Sequence, residues 1–256
     1  MNTIKLYYRE TFQRTNAVKD AILNLFIGST SSCRLILEVF IRKKMGFRYF
    51  RFSGAILLAI VLSIVPFLPK IIELFWPSYY EYGFWDTIKE YWVWYLFILV
   101  FLYFSFLRYK ETKQLKKNYC FEYFSKSSGE ILPFFTDLKY KDKPFSIRKI
   151  EIFIEPLSFL ILGIFLMTLG QKLLGGLFIF SAIVYCISYA RAYEIGDNFI
   201  YDRIDQNNVN EELHNFFING QPTQRGFTFR GDTPESKAQR EKTYASFFDK
   251  TEFKEV

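Results

Sequence analysis

Four uncharged stretches stand out along the chain: Gly54 to Pro69, Tyr91 to Leu107, Leu157 to Gly170 and Leu173 to Ala190. Charged residues crowd the segments between them, the pattern expected when two solvents divide one polypeptide. Flanking Phe50, Phe52, Ile71, Ile72, Ile152 and Phe153 lengthen the shorter runs toward the roughly 20 residues that a spanning helix needs. A soluble core helix is usually shorter and carries a polar stripe. The expected class is therefore an all-α integral membrane protein, with four transmembrane helices in two antiparallel hairpins and amphipathic cytoplasmic helices at both ends.

Lys and Arg set the expected orientation. Residues 1–53 hold ten of them, 108–149 hold eleven and 191–256 hold nine, leaving three (Lys70, Lys89 and Lys172) in the two remaining connections. Because positive charge near span ends stays cytoplasmic, both termini are expected inside, with a bacterial inner membrane as the expected location. The organisation reads as a basic amphipathic segment over 1–53, a first hairpin over 54–107 and a basic loop over 108–150. A second hairpin over 151–190 and an acidic tail over 191–256 complete it. Spans are expected at about 54–72, 91–107, 152–170 and 173–190, with an outer loop over 73–90. The aromatics of that loop suit a lipid-water interface, and the connection around Gly170 is short enough to make the last two spans neighbours. No secretory signal is expected, since the first apolar run starts too late for one.

The sequence predicts helix over 4–27, a loop at Gly28–Ser32, and a basic amphipathic stretch over 33–52. There Arg34, Arg42, Lys43, Lys44, Arg48 and Arg51 are the expected contacts to anionic lipid, each juxtamembrane charge contributing about 1 kcal/mol. Topology alone also accounts for these charges. Ala55, Ala59 and Ser63, with Gly163, Gly175 and Gly176, are the candidate close-packing positions between helices.

In the tail, Phe199, Ile200, Ile204, Leu213, Phe216 and Phe217 form an apolar face that needs a partner, either the basic middle loop or another subunit. Arg225–Gly231 resembles the core of an RNA-recognition strand, but Thr228 and Arg230 break the pattern and too little chain follows for that domain. It reads better as a polar linker, and a last helix is expected from Thr233 to about Phe248, with Pro234 in its first turn. Nucleic acid is an unlikely partner, because the positive-inside rule already explains the basic loop.

Composition narrows the chemistry. Phe and Tyr number 31 and 18, a surplus that coding bias also produces, so no single aromatic is given a role. One histidine and three scattered cysteines offer no metal-ligand spacing and no disulfide framework. No catalytic motif is present and no cofactor is expected. Glu155, beside Pro156, is the candidate for cation binding in transport, since proline frees nearby carbonyls. By elimination the expected function is a nonenzymatic accessory, anchoring or assembly subunit of a membrane complex. Channel or transporter component ranks second and membrane-shaping hairpin protein third.

Overall fold

The computed structural model describes residues 17–68, 84–141 and 143–246. The N-terminal half of the first expected helix, most of the outer aromatic loop, Pro69, Lys70 and Phe248 lie outside them. The chain forms two compact units, Leu23–Arg191 and a second made of Met1–Ile22 with Ala192–Val256.

Helices dominate. They are α1 (Ala17–Ile41), α2 (Phe52–Ile64), α3 (Phe84–Glu90), α4 (Trp92–Asn118), α5 (Pro133–Thr136), α6 (Ile147–Lys149), α7 (Glu155–Thr168), α8 (Lys172–Asn219) and α9 (Lys237–Ser246). Among the described residues strands are confined to two antiparallel pairs of two residues each: β1 (Arg42–Lys43) with β2 (Glu130–Ile131), and β3 (Lys139–Tyr140) with β4 (Lys143–Pro144). At 74% helix the protein belongs to the mostly helical class.

Among the described residues three helical segments are long and apolar enough to cross a membrane: Trp92–Asn118, Ile147–Thr168 and Lys172–Asn219. In their most apolar windows only 33%, 33% and 50% of residues are buried inside the protein. Leu99, Ile161, Phe165 and Phe180 stand more than half exposed, a surface that water would penalise heavily and that lipid accepts. These helices suggest a membrane protein. The Gly54–Pro69 run behaves differently. Among the described residues it gives the thirteen-residue α2 and a 3-10 turn over Val65–Phe67, about 24 Å of helix at 1.5 Å per residue, where a hydrocarbon core is about 30 Å thick. Pro66, which cannot donate the next helical hydrogen bond, sits inside that tighter turn.

Several boundaries differ from expectation. The loop expected at Gly28–Ser32 is helical, because α1 runs through it unbroken; a single glycine in a helix interior costs only about 1 kcal/mol. The fourth apolar run and the acidic tail form one 48-residue helix, α8, since no proline or left-handed glycine interrupts residues 172–219. That helix ends at Gly220, which adopts φ +67. The last helix starts at Lys237 rather than Thr233.

In the first unit the last turns of α1 are enclosed. Ile36, Leu37, Val39 and Ile41 are all buried, and Phe40 packs against Phe97, Phe101 and Phe104 of α4. The last carbonyls of a helix lack intrahelical donors; here Arg108 of α4 donates its Nε to the Val39 carbonyl at 3.1 Å. Helices α2 and α4 are tied by Trp94, whose indole donates to the Leu62 carbonyl at 2.9 Å, and by Phe52 stacked on Tyr109. Gly46 lets the segment after β1 lie directly on residues 125–127. Its N–H donates to the Ser127 carbonyl at 2.9 Å, and any side chain there would collide with the Ser125 backbone.

In the second unit the tail folds on itself. Val209, Leu213 and Phe217 of α8 bury against Phe227, with Phe216, Phe229 and Tyr244 packed around them. The Arg225–Gly231 segment is therefore not a bare linker. Arg225 and Gly226 turn the chain through positive φ, and the phenylalanines that follow cover the helix. Glu212 accepts from the Gln224 N–H at 2.6 Å, fixing the turn against α8.

Candidate functional site

The strongest chemical feature of the first unit is a buried polar cluster around Arg42. This residue is the first after α1, where a cation also complements the negative end of the helix dipole. Only 1% of Arg42 is exposed. Its guanidinium donates through Nη1 to Glu151 at 2.9 Å and through Nη2 to Glu155 at 2.6 Å and to the Tyr185 hydroxyl at 2.9 Å. Tyr185 donates in turn to the same Glu155 oxygen at 2.6 Å, closing a triangle of charge-assisted hydrogen bonds. Arg42 also lies 5.3 Å from the centre of the Tyr189 ring, which stacks on Tyr185.

Local structure brings the carboxylates into line. Proline at 156 cannot donate a helical hydrogen bond, and the preceding turn, Ile150–Ile154, is π-helical. There the Glu155 N–H reaches back five residues to the Ile150 carbonyl. Such widened turns recur where a helix carries a special side chain, and this one presents Glu151 and Glu155 to the same guanidinium.

A second layer surrounds Glu38, which is 1% exposed. Tyr49 donates to both of its oxygens, at 2.8 and 2.9 Å, and Tyr189 donates to one at 3.2 Å. Arg34 donates to Ser188 at 2.9 Å and lies 5.9 Å from the Tyr189 ring. Burial pushes the Glu38 carboxyl above its usual range, against the opposing pull of Arg34, the Tyr49 hydroxyl and Arg42. Burial and the neighbouring Glu38 likewise raise the Tyr49 phenol, so Tyr49 stays a hydrogen-bond donor. Two guanidiniums and three carboxyls thus form one connected cluster, with Arg34 and Glu151 at its edges. Such a cluster fixes how α1, α7 and α8 meet, because each partner removed leaves an uncompensated group in a poorly polarisable interior.

The six basic residues expected at a lipid surface separate into distinct roles. Arg42 cannot face headgroups, since its charge is committed inside the protein. Arg34 is half-buried against Ser188. Lys44 pairs with exposed Glu130, a contact worth at most about 1 kcal/mol, and Lys43 is exposed on β1. Arg48 and Arg51 are exposed and, with Arg34 and Lys126, line an open recess of about 340 Å³.

The packing positions separate too. Ala55 and Ala59 are buried on α2, while Ser63 donates to the Ala59 carbonyl of its own helix at 2.7 Å. Gly163 and Gly175 face each other at the contact of α7 with α8. Gly176 makes no such close contact within the chain: a side chain added there meets nothing. Of the apolar tail face, Leu213 and Phe217 are 3% and 2% exposed beneath their own chain, with partly buried Phe216 packed beside them. Phe199, Ile200 and Ile204 remain open, at 62%, 57% and 49%. Glu155 is fully buried; one of its oxygens accepts from Arg42 and Tyr185, and the other has no hydrogen-bond partner.

Sequence reasoning missed Tyr185, Tyr189, Glu38 and Tyr49. A signal was present for part of them. Ser181, Tyr185, Ser188 and Tyr189 recur at i, i+4, i+7 and i+8 inside an apolar run, a polar stripe on one helical face. Among the described residues no group of three or more His, Cys, Asp and Glu is placed to hold a metal ion.

The fold is a mostly helical one whose three long apolar helices suggest a membrane protein, with a charged cluster buried among its helices. Comparison of the chain with protein-family models, curated proteins and solved structures finds no match.

Proposed function

We propose that the protein is a nonenzymatic anchoring or assembly subunit of a membrane complex. It spans the bilayer four times as two hairpins, with both termini in the cytoplasm of a bacterial inner membrane. Anionic lipid and one or more protein subunits are its partners. The fourth crossing is the span expected at about 54–72, of which α2 is the larger described part.

One observation carries the assembly reading: α8 continues past its apolar run into an acidic segment that keeps Phe199, Ile200 and Ile204 open. Elsewhere on this helix comparable residues, Leu213 and Phe217, are covered by the chain itself. Large apolar side chains left uncovered beside Asp202 and other acidic residues suit the face of a helix that docks into a groove. The buried cluster supports the same reading, because its charges are spent on holding helices together.

The test is native mass determination of the full chain after gentle extraction from its own membrane. Wild type is expected to travel with a stoichiometric companion. Phe199→Asp combined with Ile204→Asp is expected to release it with an unchanged thermal midpoint, because neither side chain belongs to a buried core. A companion retained by the double variant, or a wild type that extracts alone, contradicts the reading.

A further inference from the structure

The recess beside α2 has a chemistry that neither the buried cluster nor the assembly face uses. Its walls include Arg34, Arg48, Arg51 and Lys126, together with Ser31 and Ser32. No Asp or Glu lines it. Glu38 lies buried, with both oxygens accepting from Tyr49. Among the described residues Arg48, Arg51 and Lys126 form no ion pair, although salt bridges form at Lys44 and Arg225 elsewhere on the protein.

Backbone geometry adds to the positive character. Arg51 is the N-cap of α2, in extended conformation, and no side chain caps that helix end. Gly54, on the first turn, also borders the recess, so the positive end of the helix dipole lies at its edge. Three segments converge here: the last turns of α1, the start of α2 and the 125–127 loop. The loop is held in place by the Gly46 and Arg48 N–H groups, which donate to Ser127 and Ser125 at 2.9 and 2.8 Å. Lys126 is thereby positioned by backbone contacts on both sides rather than left on a free loop.

The geometry points to a binding site for a phosphate group: a phosphomonoester held between the Arg48 and Arg51 guanidiniums and the Lys126 ammonium, with the Ser32 hydroxyl and the start of α2 completing the cradle. Guanidinium groups match phosphate oxygens in bidentate fashion, and helix N-termini accept the same group. The recess borders the first residues of an apolar helix, so a lipid headgroup and a soluble phosphate share its chemistry. The site goes beyond the assembly reading and does not depend on any protein partner.

The test uses the full chain in phosphatidylcholine nanodiscs with two probes, inorganic phosphate in solution and phosphatidic acid in the bilayer. Retained lipid is read by native mass spectrometry, and the thermal midpoint is read with and without each probe. Arg48→Gln, Arg51→Gln and Lys126→Gln together are expected to weaken binding by at least about tenfold. The charge-matched control Lys139→Gln, Lys143→Gln and Lys149→Gln, also on exposed positions, is expected to leave it nearly unchanged. Arg51→Gln alone gives a weaker loss in the same direction should the triple variant fold poorly. Retention of phosphatidic acid without a response to inorganic phosphate identifies a headgroup site, and a response to both identifies a site for any accessible phosphate. Equal losses in the triple variant and its control, or no response to either probe, overturn the proposal. Co-extraction of a protein partner is unaffected by that result.

Discussion

Arg42→Met is expected to destabilise the protein by about 3–5 kcal/mol, the range for removing one partner of a buried ion pair. The cause is what stays behind. Glu155, fully buried, and Glu151, 13% exposed, would face each other without a cation, and the Tyr185 hydroxyl would lose an acceptor role. Arg42→Lys is expected to recover only part of the loss, because one ammonium cannot reproduce a fork that bridges two carboxylates and a phenol. Arg42→Met with Glu155→Leu removes both charges of the shortest pair. It should be less destabilising than the sum of the single changes, with a coupling of about 0.5–3 kcal/mol. Denaturant titration in one detergent measures all four. A loss below about 1 kcal/mol for Arg42→Met would place the cluster in contact with water and end its assignment as an interior lock.

Gly175→Ala is expected to cost about 1–3 kcal/mol, the usual penalty for overpacking. An added Cβ would lie 2.6 Å from the Gly163 carbonyl oxygen, and the reciprocal atom at Gly163 would lie 2.9 Å from the Gly175 oxygen. Both obstacles are backbone, so relief requires α7 and α8 to separate. Gly176→Ala, one residue away, meets open space and is expected to be neutral or to stabilise by up to about 1 kcal/mol through helix propensity. The same thermal measurement reads both variants. Equal effects at 175 and 176 would mean that the two helices do not meet at these glycines.

This contrast shows how much was legible in the sequence. Composition of the apolar runs, charge between them and small residues within them locate three long helices, and identify the region where two of them touch. Which glycine faces the neighbour depends on helix rotation, and rotation is set by contacts that one sequence does not display. Arg42 makes the same point more strongly. In the linear chain it is one of six similar cations beside a span, while Glu155 and Tyr185 lie more than a hundred residues away. Only folding distinguishes the guanidinium that is enclosed from Arg48 and Arg51, which face a recess. The tail was partly legible: helical periodicity marked Leu213 and Phe217 as an apolar face, but Arg225 and Gly226 had to turn the chain back before Phe227 could cover it. For Phe199 and Ile204 the same periodicity leads to no internal cover.

The number of membrane crossings is the claim on which the rest of the account stands, and the accessibility of the two termini tests it most directly. Epitope tags placed before Met1 and after Val256 would be exposed to protease in sealed right-side-out and inside-out vesicles. Four crossings predict that both tags are cut in inside-out vesicles only. Cleavage of the two tags in opposite preparations would show an odd number of crossings, leave the α2 segment outside the set of spans, and contradict the two-hairpin architecture.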